Sequence, residues 1–253
     1  MNDGAGVVVT HGPAAELDEC LAALAPQVDE LVLVENLPGH ARELPEHVRV
    51  LSPPRPQGYA ANANLGIAAT KAPFVLLANP DTLPAPDAVG VLRAFAERRT
   101  RCGIAGPQLV YEDGAWQPSR RRFPTVSGTL VRRTPLRKVL RPHERQRSHY
   151  LLDERPEKPV EADWMLGAFL LLRRQMLDEL GGLDEGYRLY GEDIDLCYRA
   201  AKAGWERWYV PAAVVTHRYD AVIDRRFLTR RTLWHWRSIA RFVRKHPERL
   251  RAL

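Results

Sequence analysis

Long apolar runs are missing from this sequence. The longest, such as Leu166 to Leu172, fall far short of the ~20 residues that a bilayer-crossing helix needs. Cysteine is scarce: three thiols, Cys20, Cys102 and Cys197, lie far apart and show no metal-ligand spacing. That excludes a disulfide framework and a thiolate metal centre, and a reducing, cytoplasmic setting is expected. Cys20 and Cys197 fall within helical patterns, where buried thiols are expected. A basic leader is missing too. Met1-Asn2-Asp3-Gly4 carries an acid, so no signal peptide is expected. No internal repeat and no long low-complexity tract is found.

What is present suits a globular enzyme. The 253 residues are 45% hydrophobic and 27% charged, enough for one large α/β domain, with or without a helical tail. The net charge of +6 suits an anionic partner: a nucleotide, a lipid phosphate, an anionic membrane surface or nucleic acid.

Short apolar runs alternate with helical patterns through the first third. Val7–Thr10, Leu31–Val34, Val48–Leu51 and Phe74–Ala78 read as buried strands. Glu16 to Leu24, closed by Pro26, and Ala60 to Ala69 read as helices, with a proline-rich loop over Ser52 to Pro56. Such alternation predicts an α/β fold, a mostly parallel, Rossmann-like central sheet flanked by helices. In such sheets ligands lie beyond the carboxyl ends of the strands. Thr10, Glu35 and Asn79-Pro80-Asp81 all fall there. From Ser119 to Arg147 the chain is dense in arginine, and an exposed, partly mobile segment is expected. Val160 to Leu172 returns to apolar sequence. Helices are expected over Gln175–Leu180 and Glu192–Ala203, short strands over Trp208–Pro211 and Val214–Thr216, and a basic helix from Arg225 to His246.

Three constellations carry chemistry. In Asn79-Pro80-Asp81-Thr82, an acid follows a buried strand. A turn-forming or capping acid has the same pattern. A carboxylate at a strand end also suits a hard divalent cation facing a diphosphate. In Gly191-Glu192-Asp193-Ile194-Asp195, three acids open a helix. Helix-dipole stabilisation, about 0.3–1 kcal/mol per acid, explains one or two of them. It does not explain why Tyr187, Tyr190 and Gly191 precede them in sequence that otherwise reads as buried. A rigidly placed general base does, with Asp193 the base and Glu192 orienting it or touching the acceptor. Third, His217 follows a strand, where it is a surface or structural histidine or a ligand near a diphosphate.

These segments, taken in order, resemble a family. Val7-Val8-Val9-Thr10, Val32-Leu33-Val34-Glu35-Asn36, Gly58-Tyr59-Ala60-Ala61-Asn62-Ala63-Asn64-Leu65-Gly66 and Leu76-Leu77-Ala78-Asn79-Pro80-Asp81-Thr82 are similar to the family 2 glycosyltransferases of GT-A fold. So are Trp164-Met165-Leu166-Gly167-Ala168-Phe169, Gly182-Leu183-Asp184-Glu185 and Tyr190-Gly191-Glu192-Asp193-Ile194-Asp195-Leu196-Cys197-Tyr198-Arg199. The subgroup most resembled is the bacterial rhamnosyltransferase-like one, and the match covers roughly residues 5 to 217.

The resemblance implies a single GT-A domain over 1–217, with a nucleotide-sugar-binding half over about 1–110 and an acceptor-binding half over about 111–217. Residues 218–253 would form a basic helical extension. It implies an inverting transferase that uses Mg²⁺ or Mn²⁺ and moves a sugar, rhamnose by subgroup, from a dTDP-, UDP- or GDP-sugar. The acceptor would be a hydroxyl on a glycan, a lipid-linked sugar or a secondary metabolite, in cell-wall or other cell-surface synthesis. Thr10 and Glu35 would lie near base and ribose, with Asn64 and Asn79 also on the donor. Asp81 and His217 would hold the metal, and Asp193, with Glu192, would serve catalysis. The chain departs from the pattern in places. Glu35 stands for the usual Asp, Ala63 for an Asn, Thr10-His11-Gly12 for Thr-aromatic-Asn, and Arg218-Tyr219-Asp220 for a Gly-x-Ser turn.

The basic segments Arg120 to Arg147 and Arg225 to Arg251 suit solvated surface, an anionic acceptor, or peripheral contact with the inner leaflet. A sugar-phosphate nucleotidyltransferase is the rival enzyme. It would carry a basic glycine-rich loop after the first strand, and His11-Gly12-Pro13-Ala14-Ala15 has no Arg or Lys. A nucleic-acid-binding protein is the non-enzyme rival. No helix-turn-helix, RNA-recognition or zinc-finger signature is found, so no nucleic-acid partner is expected.

Overall fold

The computed structural model describes residues 4–39, 44–45, 47–123, 155–218 and 230–250. Most of the arginine-rich stretch that ends at Arg147, and both ends of the basic C-terminal segment, lie outside the described residues.

The first strand, β1 (Gly4–Thr10), is buried throughout. Val7 and Val9 join one apolar cluster and Val8 the other, so the strand is covered on both faces. That is why Val7-Val8-Val9 shows no polar alternation. Helix α1 (Leu17–Leu24) buries Leu17, Cys20, Leu21 and Leu24, and Pro26 sits in a 3₁₀ turn over Ala25–Gln27. Strands β2 (Glu30–Glu35), β3 (Val48–Leu51) and β4 (Phe74–Ala78) and helix α2 (Tyr59–Ala68) follow where the apolar runs place them, but β3 is not the buried strand expected: it is an edge strand with Arg49 and Val50 exposed. Helix α2 lies close on the sheet. A side chain on Gly66 would press into Val7 and Val34, so the small residue permits this approach.

Next come β5 (Thr82–Pro84), α3 (Ala88–Glu97), β6 (Cys102–Val110), β7 (Trp116–Gln117) and β8 (Arg120–Arg121). Then β9 (Val160–Glu161), β10 (Trp164–Met165), β11 (Phe169–Arg173), α4 (Arg174–Leu180), α5 (Glu192–Lys202), β12 (Glu206–His217) and α6 (Arg230–Lys245) complete the described chain, with a final 3₁₀ turn over Pro247–Leu250. The two short strands expected between Trp208 and Thr216 are one strand, β12. Its register against β6 shifts between Val210 and Val214, around Pro211. All three cysteines are free and buried.

The main sheet runs β3-β2-β1-β4-β11-β6-β12-β5, with β7 on β6 and β9 on β12. The first four strands are parallel, as are β6 and β12, while β11 is antiparallel to β4 and β6. This is the α/β architecture read from the sequence. The parallel strands β2, β1 and β4 end at one rim. Phe169 pairs with Ala78, so the residues just before β11 start from that same rim. His217 pairs with Thr82, which brings the end of β12 there too. Among the described residues no helix is long and apolar enough to cross a membrane.

Candidate active site

Asp81 lies in the turn between β4 and β5. That turn is held by Thr82, whose N–H and hydroxyl both donate to the Asn79 carbonyl. One Asp81 oxygen, Oδ1, is buried and has no hydrogen-bond partner. Oδ2 lies 3.5 Å from His217 Nε2. The other ring nitrogen of His217, Nδ1, meets Gln117 Oε1 at 2.8 Å, which fixes the ring. The backbone adds a tie, since Arg218 N–H donates to the Asp81 carbonyl.

Asp193 lies in the first turn of α5. Its carboxylate accepts from Ile194 N–H at 2.8 Å and from Gly167 N–H at 3.1 Å. Gly167 leaves room for this approach: a Cβ there would lie 3.1 Å from Asp193 Cβ. The next residue, Ala168, offers its carbonyl to Asn79 N–H at 2.8 Å. The dipeptide Gly167-Ala168 therefore binds the Asp193 side chain with one residue and the Asp81 turn with the next. Tyr59 adds a second hold on that turn. Its phenol donates to Asn79 Oδ1 at 3.2 Å. Burial, and then the charges of Glu192, Asp193 and Asp81, push its proton affinity above the ordinary phenol value.

Glu192 and Asp193 form a coupled pair. Burial, reinforced by the Asp193 charge, pushes Glu192 up from its ordinary 4.5 to about 8. Burial raises Asp193 as well, while its two backbone N–H bonds and the Arg121 charge favour its ionised form. Of the two carboxyls, Asp193 is better solvated by hydrogen bonds, and Glu192 Oε2 is buried with no partner. Both carboxyls are thus raised, and the two backbone N–H bonds favour placing the charge of the pair on Asp193. Because the folded value of Glu192 is raised, the stability this gives is fully present below the ordinary carboxylate range. It is lost as pH rises through about 8. In Glu192→Gln the side chain is neutral at every pH. The melting temperature of the variant should gain on that of the wild type between pH 4.5 and about 8 and then run level. Thermal melts across that range that stay parallel would rule this out.

On the β1–β2 side, Thr10 donates its hydroxyl to the Gly12 carbonyl at 2.6 Å. Glu35 accepts from Gly39 N–H at 3.2 Å. Between them stands a polar chain that sequence reasoning did not single out. Asn36 Oδ1 accepts from Gln57 N–H and from Asn62 Nδ2, both at 2.8 Å, and Asn36 Nδ2 faces the His11 ring. Asn36 and Asn62 are both buried. Asn62 is the asparagine of α2 that faces this rim. Asn64, expected on the donor, is engaged elsewhere. Its Nδ2 donates to the Leu183 carbonyl and Glu185 Oε1, and its Oδ1 accepts from Leu183 N–H. It pins α2 to the 182–185 turn. Helical geometry turns residues two apart to different faces, which separates these two asparagines.

Asp195, third of the acids, is not at the cleft. It is fully buried and held by Arg199, His246, Lys245 and Tyr187. Burial alone would raise its carboxyl, but the hydrogen bonds of His246 and Arg199 and the charge of Arg199 bring it below the ordinary range.

The carboxyl rim of the largely parallel sheet thus carries one acid beside a histidine, Asp81, and is linked through Gly167-Ala168 to another at a helix start, Asp193. The family model "Glycosyltransferase like family 2" matches residues 25–238, and the chain belongs to that family. The N-acetylglucosaminyl-diphospho-decaprenol L-rhamnosyltransferase of Mycobacterium tuberculosis is 32% identical, over 83% of this chain and 74% of that one. The rhamnosyltransferase WbbL of Escherichia coli is 28% identical, over 74% and 70%. Among solved structures, GalNAc-T7 with UDP, GalNAc and Mn²⁺ superposes with a TM-score of 0.63 at 19% identity, over 85% of this chain but only 44% of that one. The mannosyltransferase PcManGT of Pyrobaculum calidifontis, with GDP-Man and Mn²⁺, gives 0.54 at 16%, over 89% and 58%. These two likenesses concern the fold.

Proposed function

We propose that the chain transfers rhamnose from a nucleotide diphosphate sugar, with inversion, to a hydroxyl of a lipid-linked diphosphate sugar in cell-surface synthesis. The observation that carries this reading is the linking of the Asp81 turn to Asp193 through Gly167-Ala168. The names of the mycobacterial and E. coli relatives support the sugar, and that of the first supports the acceptor.

In this reading residues 1–110 bind the nucleotide, with Thr10, Glu35 and the Asn36–Asn62 pair beside base and ribose. Residues 111–217 present the acceptor. A divalent cation, Mg²⁺ or Mn²⁺, fits beside Asp81: Oδ1 is a buried acceptor without a donor, and His217 offers a held imidazole. Among the described residues no three His, Cys, Asp or Glu side chains converge on one point, so diphosphate oxygens and water would fill the remaining positions. When bound, such an ion neutralises the charge that develops on the leaving diphosphate. Asp193 takes the proton of the acceptor hydroxyl. The acceptor oxygen bonds to the anomeric carbon from the face opposite the leaving group, and the pair of the broken C–O bond departs with the diphosphate. One displacement inverts the centre.

Calorimetric titration with dTDP, UDP and GDP, each with and without Mn²⁺, tests the donor side. One diphosphate should bind about tenfold tighter with the metal. Release of pyrophosphate during turnover would favour the nucleotidyltransferase rival, and metal-independent binding of all three would count against a cation at Asp81.

Contact with an anionic membrane is part of the same proposal. Helix α6 contains no acid, and on its outward side Leu233 (52% exposed), Arg237 and Arg244 face solvent. Flotation should recover more protein with phosphatidylglycerol-containing vesicles than with phosphatidylcholine alone, and the difference should vanish in high salt. Equal recovery with both lipids would count against it.

A further inference from the structure

The inward face of α6 is packed on the loop between Asp184 and Gly191 and on the helix that carries Asp193. Lys245 Nζ lies 2.6 Å from Asp184 Oδ2 and 3.0 Å from Asp195 Oδ2, so one ammonium bridges the beginning of that loop to the first turn of α5. Arg241 adds a 2.6 Å bond to Asp184 and stands over the Tyr187 ring. Ser238 donates to the Leu189 carbonyl at 3.1 Å. His235 meets the Tyr190 ring, and Trp234 lies under Arg188. His246, buried against Tyr198 and Phe242, donates from Nε2 to Asp195 Oδ1 at 2.8 Å. Asp195 has no solvent exposure at all, and its oxygens are met from both α5 and the C-terminal segment.

The loop so held is a demanding one. Tyr190 has φ of 66° and Gly191 of 92°, two left-handed residues in succession just before Glu192. For tyrosine that conformation costs about 1–2 kcal/mol and persists only where neighbours impose it. The loop also reaches the cleft from its other side. Arg188 offers its carbonyl to Tyr59 N–H at 3.0 Å, and a Cβ on Gly58 would lie 2.9 Å from Arg188 Cα. The contacts of α6 thus bear on both helix starts, α2 with Tyr59 and α5 with Asp193.

We propose that the C-terminal helix is a positioning element for the transfer step: by clamping Asp195, His246 and Lys245 set the first turn of α5 so that Asp193 meets Gly167 and faces the acceptor. The proposal rests on Asp193 being the base. A buried ionic cluster contributes little net stability compared with apolar packing of the same volume, so the role assigned to this one is the arrangement it fixes. Asp193 and Asp195 share one helical turn, so rotation of that turn moves both.

The test compares His246→Ala, His246→Gln and Glu248→Gln. Glu248 ties the 3₁₀ turn to Tyr198 and Lys202 and lies 3.9 Å from His246 Nδ1 without touching Asp195, so its isosteric amide loosens the same segment while the His246 Nε2 bond to Asp195 stays in place. His246→Ala should lower kcat about ten- to a hundredfold with donor KM unchanged, as small displacements of a reacting group do. His246→Gln, which keeps an N–H donor, should recover part of it, and Glu248→Gln should lose thermal stability with kcat unchanged. Loss of kcat in proportion to melting temperature across all three would overturn the proposal, as would normal kcat in His246→Ala. Amide hydrogen exchange over residues 186–195 provides a readout that needs no turnover. It should quicken in His246→Ala and Lys245→Met and not in Glu248→Gln. If the wild type transfers no sugar while this exchange pattern holds, the transferase reading fails and the clamp stands. Uniform exchange in all the variants would sink the clamp.

Discussion

Asp193→Asn should bind donor as the wild type does and turn over about 10²–10⁴-fold more slowly, the usual worth of a general base. The amide keeps the size of the side chain. It keeps an acceptor for one of the two backbone donors, Gly167 N–H or Ile194 N–H, and turns an NH₂ group towards the other. Some stability is therefore lost, and the variant should be assayed well below its melting temperature. What it cannot do is hold the proton of the acceptor hydroxyl. Its neighbour should respond as well. With the Asp193 charge gone, Glu192 is relieved of one of the two causes that push its carboxyl up to about 8. Glu192→Gln should cost much less activity, because the amide reproduces the neutral form that burial favours in Glu192 and leaves the Asp193 carboxylate in place. Single-turnover rates measured beside donor affinity separate the two variants. Full turnover by Asp193→Asn would remove the base from the mechanism.

Asp81→Ala should abolish the gain in nucleotide affinity that Mn²⁺ provides, and should lower kcat/KM on the order of a hundredfold or more, since the ion's hold on the leaving group is worth several kcal/mol. The prediction follows from the buried, unpartnered Oδ1 and from the neighbouring His217. Truncation removes the carboxylate and leaves the local fold intact. His217 stays fixed by Gln117, and the Arg218 N–H bond goes to the Asp81 backbone. A variant that still binds nucleoside diphosphate more tightly with Mn²⁺ would show that the ion sits elsewhere.

Much of this was legible in the chain, for reasons that differ by element. Strands β1, β2 and β4 are short continuous apolar runs because both of their faces are covered, and that pattern survives in one dimension. Helix α3 and strand β6 drew no forecast. Pro84, Pro86, Gly103, Gly106 and Pro107 break the patterns around them, although Val89, Leu92, Phe95 and Ala96 do fall on one helical face. Asp81 and Asp193 could be named from local motifs. Their meeting could not, because it depends on β11 entering antiparallel beside β4 and on Gly167 having no side chain. Asn64 matches an asparagine of the family pattern, in a motif that also holds Asn62. Only the facing of α2 tells the one that looks on the rim from the one bound to Leu183. Asp195 read as one more acid of a cluster. Its partners Lys245 and His246 come from the far end of the chain, and nothing near Asp195 announces them.

The attachment of Gly167 to Asp193 and of Ala168 to the Asn79 turn has a mechanical corollary. In the proposed reaction, two neighbouring peptide units carry both the departing group's side of the cleft and the attacking group's side. With both halves of that chemistry hung from the same short piece of backbone, their mutual spacing is set by two adjacent residues.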